Sequence, residues 1–248
     1  ARAVAPAVYE ALREELAPAT LIEQDHLTDL RKQGAPQDAT LPSRLVFGSA
    51  PPERFEVLED GRRYGVEPAA GLTTGLYTDQ RTNRRRCAQR AEGAVVANLF
   101  AHTGAFSVAL AAAGAKQVFA VDLGQRYLRW AAENLDRNGL DPEQHPGVAA
   151  DAIEWLRRDA PRLDGAVLDP PSHARRKGRG DRDWNARRDY ADLVEAAASK
   201  LGPGGWMLCC VNSKGVKRAW LPDQVRRGVE RAGRRLAETE AAGPSADH

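Results

Sequence analysis

Short apolar runs alternate with segments of helical periodicity along the second half of the chain. Runs at residues 94–99, 117–121 and 165–168 have the length and composition of buried strands. Between the first two runs, the apolar residues of segment 106–110 recur at helical spacing. Strands and helices that alternate in this way pack around a parallel sheet, so the pattern predicts an α/β, Rossmann-like fold.

The first seventy residues show a different pattern. Apolar positions spaced by four predict an amphipathic, packed helix over 6–16, and a short strand is predicted over 20–23. Residues 31–43 are polar and rich in turn formers, which indicates a loop. Two alternating segments then flank Asp60-Gly61, and they predict a hairpin because glycine tolerates the positive φ of a tight turn.

Length and composition fit two parts. With 248 residues, of which 42% are hydrophobic, the chain can form one doubly wound enzyme domain and one small module. We predict a small α+β module at 1–70, with RNA binding as its candidate role, and an enzyme domain at 71–248. The formal net charge of +2 does not by itself predict nucleic-acid binding, so that inference depends on local clusters of charge.

The cysteines and the hydropathy of the chain indicate the cellular compartment in which we expect it. The three cysteines show neither disulfide nor metal spacing, which suits a reducing cytoplasm and predicts no metal site. No apolar stretch approaches the ~18 residues of a membrane span, and the N-terminus lacks the organisation of a signal peptide. We therefore expect a cytoplasmic protein without a membrane partner, and its oligomeric state stays open.

The turn at Thr103-Gly104 and the carboxylate of Asp122 indicate a nucleotide site. Asp122 ends the second apolar run, eighteen residues after Gly104, where a carboxylate can reach a ribose bound over the first turn. A dinucleotide's pyrophosphate needs a glycine-rich turn, whereas Gly104 is the one glycine here. A ligand with a ribose and no phosphate, such as S-adenosylmethionine, fits better. The alternative is a βαβ unit that binds no ligand.

A second signal follows the third apolar run, which ends in Asp169-Pro170-Pro171-Ser172. Two prolines lack donor N–H groups and cannot continue a central strand, so they hold a rigid segment at the strand's carboxyl end. Ligands bind at that edge of open α/β sheets. The segment is similar to the target-base motif of methyltransferases that act on nucleic-acid bases.

Five arginines lie between residues 81 and 90, on a helix that we expect to begin at Thr78 or Asp79, either of which can cap it. We expect too few nearby carboxylates to pair with all five. These arginines form either a solvated helix face or a ridge that contacts RNA phosphates, with Arg84 and Arg85 as the candidate contacts.

The segment 173–190 is the second basic cluster. It contains two glycines and a tryptophan, Trp184, that we expect to be exposed. Cations there could neutralise RNA phosphates and the aromatic ring could stack on a base, whereas the alternative is a solvated loop. The candidate RNA contacts in this loop are Arg175, Arg176, Lys177 and Arg179.

Four segments, 74–84, 98–107, 121–123 and 168–172, occur in the order found in one enzyme family. They resemble the S-adenosylmethionine-dependent methyltransferases of large-subunit ribosomal RNA, which modify carbon-5 of cytosine or nitrogen-7 of guanine. The Tyr-Thr-Asp-Gln-Arg stretch within the first segment is the most discriminating. Many members begin with a small RNA-binding domain of the PUA type, which we do not expect here. His173 also stands where relatives usually have Phe or Tyr.

The resemblance implies a set of site residues. Asp151 would accept a hydrogen bond from the adenine amino group, and it is equally suited to cap the helix that follows it. The implied cofactor contacts are Tyr77, Arg81, Asn98, Phe100, Thr103, Gly104, Asp122, Leu123, Asp151, Ala152 and Asp169. The implied catalytic residues are Asp169, Pro170, Pro171, Ser172 and Asn212.

Two chemistries are open at the target base. Cytosine carbon-5 methylation requires a thiolate that adds to carbon 6, and the relatives that perform it have Ser-Cys-Ser where this chain has Asn212. Cys209 and Cys210 lie inside an apolar strand, as inert packing residues do. We therefore predict direct transfer to a nitrogen, with guanine in 23S-type rRNA as the expected acceptor. The alternatives are cytosine methylation through a shifted cysteine, an inactive RNA-binding homologue and a small-molecule methyltransferase.

Overall fold

The computed structural model describes residues 5–24, 43–68, 73–174, 183–212 and 216–241. Contacts within the chain define two units. The first comprises Ala1–Val57 with Gly65–Leu76, and the second comprises Leu58–Tyr64 with Tyr77–His248. The boundary predicted between residues 70 and 71, and the RNA-binding role of the residues before it, stay predictions.

The first unit begins with helix α1 (Ala5–Leu16) and the antiparallel strands β1 (Thr20–Gln24) and β2 (Ser43–Gly48). The predicted helix and first strand are confirmed. No residue of α1 is fully buried, but Tyr9 and Leu12 are half-buried and the Arg13 guanidinium lies over the Phe47 ring of β2 at 5.7 Å, so the helix packs through partly exposed side chains. Strand β2 was not predicted, and most of the loop predicted at 31–43 lies outside the described residues.

The predicted hairpin is confirmed as β3 (Phe55–Glu59) and β4 (Arg62–Val66), which pair in a two-stranded sheet. Asp60 and Gly61 in its turn have φ values of 53° and 77°, in the left-handed region that a tight turn of this kind requires. Both strands continue from one unit into the other, since Leu58–Tyr64 belongs to the second unit.

The second unit contains a five-stranded parallel sheet with the strand order β11-β8-β5-β6-β7. Its strands are β5 (Val95–Leu99), β6 (Gln117–Asp122), β7 (Gly147–Ala149), β8 (Leu163–Leu168) and β11 (Leu201–Cys209). Its helices are α2 (Arg81–Ala88), α3 (Ala105–Ala112), α4 (Gln125–Asp136), α5 (Ala152–Arg158), α6 (Ala186–Lys200) and α7 (Trp220–Arg231). The α/β, Rossmann-like prediction is confirmed.

The chain order of the strands reverses beside β5. Strands β6 and β7 extend the sheet on one side of β5, whereas β8 and β11 extend it on the other. Val96, Leu99, Val167 and Leu168 on the two central strands are fully buried, as expected where helices cover both faces. Ligands of such sheets bind outside the carboxyl ends of the strands at this reversal, which places the candidate site after Leu99 and Leu168.

Three short elements complete the second unit. A 3₁₀ turn, Thr78–Gln80, leads into α2, which confirms the predicted start of this helix. The predicted cap is wrong, because no side chain caps either element. Strands β9 (His173–Ala174) and β10 (Trp184–Asn185) pair with each other and lie on either side of residues 175–182 along the chain.

Candidate active site

The turn after β5 has a constrained backbone. Phe100, His102 and Gly104 have φ values of 57°, 49° and 76°, in the region that favours glycine. Gly104 is required for a second reason, since a Cβ atom there would lie 2.6 Å from the Cβ of Ala131. Left-handed conformations at non-glycine residues cost free energy, so the surrounding contacts must hold this turn in one shape.

Two amides hold the turn from outside. Nδ2 of Asn98 donates to Oγ of Ser107 at 2.9 Å, which ties β5 to α3. Nδ2 of Asn134 donates to the carbonyl of Thr103 at 2.9 Å, and both residues are buried. Asn134 lies inside α4 and supports the turn from there.

Asp122 closes the same turn from the end of β6. Its Oδ2 accepts from the backbone N–H of His102 and its Oδ1 from that of Gly124, at 2.9 and 2.8 Å. Burial raises the pKa of Asp122, and the two backbone donors act in the opposite direction. Each carboxylate oxygen can accept more than one hydrogen bond, so Asp122 keeps the capacity to accept from a ribose hydroxyl.

Leu123 and Asp151 follow the ends of β6 and β7. Leu123 exposes 43% of its surface, which leaves an apolar side chain open beside Asp122. Asp151 accepts from the backbone N–H groups of Ile153 and Glu154, both at 3.1 Å, and so caps α5. The N-cap interpretation of Asp151 is confirmed, and its contact with an adenine amino group, like that of the buried Ala152, stays a prediction.

A group of aromatic contacts at His102 was not predicted. The ring of His102 makes tilted contacts with the rings of Tyr77 and Tyr127, with centroid distances of 5.4 and 4.4 Å. Burial lowers the pKa of His102 to about 4, so its imidazole is neutral at pH 7. Its Nε2 is buried without a hydrogen-bond partner among the described residues. Tyr77, a predicted cofactor contact, therefore borders the turn and is 53% exposed.

These features fit S-adenosylmethionine better than a dinucleotide. The Cβ position of Gly104 faces Ala131 rather than an open surface, so the glycine serves helix packing and not a diphosphate. The carboxylate of Asp122 and the exposed Leu123 offer a hydrogen-bond acceptor and an apolar contact to a nucleoside. Asp122, Leu123 and Tyr77 are the residues that would hold it.

The Asp169-Pro170-Pro171-Ser172 segment leaves the end of β8. Its prolines supply no N–H groups, so other residues fix the segment through its oxygen atoms. The hydroxyl of Ser172 donates to the carbonyl of Asn212, which brings the two predicted catalytic positions together. The hydroxyl of Tyr190 donates to the carbonyl of Cys210 at 2.8 Å and lies 3.4 Å from that of Leu168.

Trp184 supports the same segment, and the prediction that it is exposed is wrong. Only 4% of its surface is accessible, and its Nε1 donates to the Pro171 carbonyl at 2.7 Å. Its ring packs on Phe100 with a centroid distance of 5.3 Å. Trp184 thus joins the turn after β5 to the Asp-Pro-Pro segment. It cannot stack on an RNA base in this position.

Asp169 lies in an environment that favours its neutral form. Its pKa is raised to about 6, first by burial and then by the negative charge of Asp79, whereas Arg84 lowers it. Asp79 belongs to the discriminating Tyr-Thr-Asp-Gln-Arg stretch. That stretch therefore contributes a charge next to the predicted base-binding carboxylate.

The structure assigns most of the α2 arginines to carboxylates. Arg84 is 1% exposed and forms two 2.7 Å hydrogen bonds with Glu59. It also donates to the Tyr77 carbonyl at 2.9 Å. The predicted phosphate contact of Arg84 is therefore wrong, because the guanidinium is buried and paired. Arg85 pairs with Asp60 on the surface, and Arg86 lies 3.3 Å from Glu240.

The cysteine thiols are protonated. Burial raises the pKa of Cys209 to about 12 and raises that of Cys210 further above its ordinary value. Sγ of Cys210 lies 3.8 Å from Oε1 of Gln80 and 4.0 Å from Nδ2 of Asn83. A thiol with a pKa raised in this way is a poor nucleophile, which disfavours the cysteine route.

Several predicted residues stay untested. Arg175, Arg176, Lys177 and Arg179 lie outside the described residues. Arg81 lies at the start of α2, next to the Tyr77 segment, and its cofactor contact stays a prediction. In the described ranges, no group of three metal-ligating side chains is present. No helix among those same residues has the length and apolar character to cross a bilayer.

Five residues support the site in a way that the sequence did not predict. His102 was inside a recognised motif, yet its ring contacts depend on Tyr127, which is distant in sequence. The supporting roles of Trp184 and Tyr190 could not be predicted, because both residues lie in a basic segment with the composition of an exposed loop. The residues missed are His102, Tyr127, Asn134, Trp184 and Tyr190.

The strand order, the one-glycine turn and the carboxylates after β6 and β8 define a class I, Rossmann-like methyltransferase fold. The chain belongs to the S-adenosylmethionine-dependent methyltransferase family, whose model matches residues 9–238. It is also similar to a crystal structure of a methyltransferase complexed with SAH, with a TM-score of 0.79 and 27% identity. That similarity covers 92% of this chain and 57% of the other.

Curated relatives are named for ribosomal RNA. The chain is 38% identical over 162 residues to ribosomal RNA large subunit methyltransferase K/L of Chromohalobacter salexigens, covering 65% of this chain and 22% of the relative. It is 33% identical over 208 residues to the ribosomal RNA large subunit methyltransferase of Deinococcus radiodurans, covering 83% and 50%. The chain thus spans about half the length, or less, of these relatives.

Proposed function

We propose that this chain is a cytoplasmic RNA-base methyltransferase that transfers a methyl group directly from S-adenosylmethionine to a guanine nitrogen of large-subunit, 23S-type rRNA. The relatives named above support the choice of substrate. The observation that carries the direct chemistry is a base-side carboxylate, Asp169, beside half-buried thiols whose pKa values are raised by burial.

The cofactor half of the site lies after β5 and β6. When bound, S-adenosylmethionine supplies an electrophilic methyl group on a sulfonium. Asp122 accepts from the ribose hydroxyls, Leu123 contacts the adenine, and the carbonyls and side chains of the 100–104 turn hold the remainder. The wider set of contacts is the one that the sequence predicted, with Asn98 acting through Ser107.

The base half lies after β8 and β11. Nitrogen 7 of guanine already carries a lone pair and no proton, so its methylation needs no general base and no covalent intermediate. Asp169 accepts from the exocyclic amine of the base, and the rigid Pro170-Pro171 carbonyls position the ring. Ser172 and Asn212 close the far side. Catalysis then comes mainly from holding nitrogen and methyl group in line.

A single assay separates this proposal from its alternatives. The Cys209→Ser, Cys210→Ser double variant is incubated with methyl-labelled cofactor and unmodified 23S rRNA, and the digested nucleosides are analysed by mass spectrometry. We expect label on guanine at a rate within several-fold of the wild type, because no thiol takes part.

Each alternative gives a different result. Label on cytosine with the wild-type chain, lost in the double variant, would establish the cysteine route. A folded wild type that binds the cofactor and labels no RNA would overturn the proposal in favour of a non-catalytic or small-molecule role. Calorimetric binding of the cofactor by the variant serves as the control for its folding.

A further inference from the structure

A basic cleft lies between the beginnings of α6 and α7. Its volume is about 530 Å³. Positive side chains come to it from three separate places: the first turn of α6, the connection before α7, and the second turn of α7. The residues that line it are Arg187, Val216, Lys217, Ala219, Trp220, Asp223 and Arg226.

The sheet topology places this cleft at the same edge as Asp169. Strands β8 and β11 are parallel, and both have their carboxyl ends at that edge. Helices α6 and α7 begin after these ends. The Trp220 ring meets that of Tyr190 edge-on at 5.7 Å, and the Tyr190 hydroxyl contacts the carbonyls at the ends of both strands. The ring contact between Trp220 and Tyr190 therefore connects the cleft to the candidate base site.

The charges of the cleft favour an anion. Among the described residues that line the cleft, three are cations, Arg187, Lys217 and Arg226, and one is a carboxylate, Asp223. The Arg226–Asp223 ion pair is 3.5 Å long, and both side chains are more than half exposed. Exposed pairs of this kind contribute little and can rearrange. Arg84 of α2 differs, because it is buried against Glu59 and is not available to a ligand.

The apolar part of the cleft restricts which class of anionic ligand fits it. The half-buried indole of Trp220 and the side chains of Val216 and Ala219 form a surface among the cations. A phosphate next to a flat, partly apolar sugar and base combines both requirements, as in single-stranded nucleic acid. An acidic protein segment would use the charges and leave the apolar surface without a matching partner.

We propose that this cleft binds one nucleotide of the RNA strand that flanks the target base, with its phosphate held by Lys217 and Arg226 and its sugar and base against Trp220. This inference rests on the proposed function, since it assumes that the strand enters at the Asp169 edge. It adds a phosphate contact outside the two basic clusters that the sequence predicted, which are the α2 arginines and the 175–179 segment.

The test compares two double variants with the same loss of charge. Lys217→Ala with Arg226→Ala removes the cleft cations, and Arg157→Ala with Arg158→Ala removes two exposed cations at the end of α5, on the opposite edge of the sheet. Binding of an unmodified 23S rRNA fragment is measured as a function of salt. Because phosphate contacts release counterions, we expect the slope of log K against log salt to fall by about 1 to 2 for the cleft variant only.

Two further readouts isolate the effect. Cofactor affinity should be unchanged in both variants, and turnover at saturating RNA should stay within about twofold of the wild type, because the cleft holds RNA and not the reacting atoms. Equal salt slopes for the cleft variant and the wild type, or an equal fall of the slope in both variants, would overturn the proposal that the cleft binds RNA. A wild type that methylates no RNA would instead overturn the proposed function.

Discussion

The turn after β5 and the Asp-Pro-Pro segment after β8 are both rigid, yet they achieve rigidity in opposite ways. In the turn, the backbone takes left-handed conformations and its N–H groups donate to a carboxylate, that of Asp122. In the segment, the two prolines have no N–H groups to donate, and the carbonyl of Pro171 accepts from the side chain of Trp184. Next to it, the hydroxyl of Tyr190 donates to the carbonyl of Cys210, after the neighbouring strand β11. The turn is thus held through a backbone donor, whereas the segment is held through a backbone acceptor.

The difference indicates how each half should respond to substitution. The turn depends on one conformation and one packing contact, so it should fail as a whole when either is lost. The Asp-Pro-Pro segment is held by several separate side chains, so the loss of one of them should misplace it without unfolding the domain. Four substitutions test this contrast.

Gly104→Ala should have the largest effect. The new Cβ would clash with Ala131, and the left-handed conformation costs an alanine about 1–2 kcal/mol. We therefore expect the free energy of unfolding to fall by about 3 kcal/mol, and we expect the variant to lose cofactor binding. Gly139→Ala is the matched control, because Gly139 has a φ of 66° and open space around its Cβ position. Denaturant unfolding of both variants measures the difference; equal losses would mean that packing against Ala131 is unimportant.

Asp169→Asn should reduce turnover by roughly 100-fold, through misplacement of the acceptor base, with cofactor affinity within a few-fold of the wild type. Steady-state kinetics with rRNA and calorimetry with the cofactor give the two values. A parallel loss of cofactor affinity would mean that Asp169 belongs mainly to the cofactor half of the site.

The same variant tests the pH dependence. The pKa of Asp169 is raised to about 6 from 3.8, so the folded state binds this proton more tightly than the unfolded chain. The contribution of Asp169 to stability therefore falls as pH rises from about 4 to about 6. We expect Asp169→Asn to be more stable than the wild type at pH 7 by about 1–3 kcal/mol, with the difference absent at pH 4. Wild-type turnover should rise through pH 6.

Asp122→Ala should weaken cofactor binding by about 1.5–3 kcal/mol, the range for a hydrogen bond to a charged group. It should also destabilise the turn, because the N–H groups of His102 and Gly124 lose their acceptor. Asp164→Ala is the control: Asp164 also accepts from a backbone N–H, that of Val95, but at the other edge of the sheet. Unchanged cofactor affinity in Asp122→Ala would show that the ribose contact is misassigned.

Trp184→Phe should have the smallest effect of the four. It keeps a ring against Phe100 and removes the donor to Pro171, so we expect turnover to fall about tenfold, or roughly 1.4 kcal/mol, with an unchanged KM for the cofactor. Trp155→Phe removes another buried indole that packs on a phenylalanine and should leave turnover unchanged. A shift of both KM and turnover in Trp184→Phe would contradict a role confined to the Asp-Pro-Pro segment.

The sheet and its chemistry could be predicted from the sequence because their signals are local. Apolar runs with a length of four to six residues predicted β5, β6 and β8, and Gly104, Asp122 and Asp169 lie just after those runs. Asp151 could likewise be assigned as a cap from its own position before a helix. These residues act where the chain leaves a strand, so their neighbours in sequence already describe their surroundings.

The supports of the site could not be predicted in this way because their partners are distant in sequence. A tryptophan in a basic segment has the local pattern of an exposed residue, and only the pairing of β9 with β10 brings Trp184 back to Pro171. Arg84 was misassigned for the same reason. Its carboxylate partner, Glu59, ends strand β3 of the hairpin, twenty-five residues earlier in the sequence.

That ion pair also limits how freely the residues before α2 could be lost or replaced during evolution. A shortened gene that began at residue 71 would keep Arg84 and lose Glu59, leaving a buried cation without its counterion. Such a loss typically costs 3–5 kcal/mol, a large part of the stability of a domain of this size. A lineage that discards or replaces its first seventy residues would therefore be expected to substitute Arg84 first, or to retain the hairpin as a remnant.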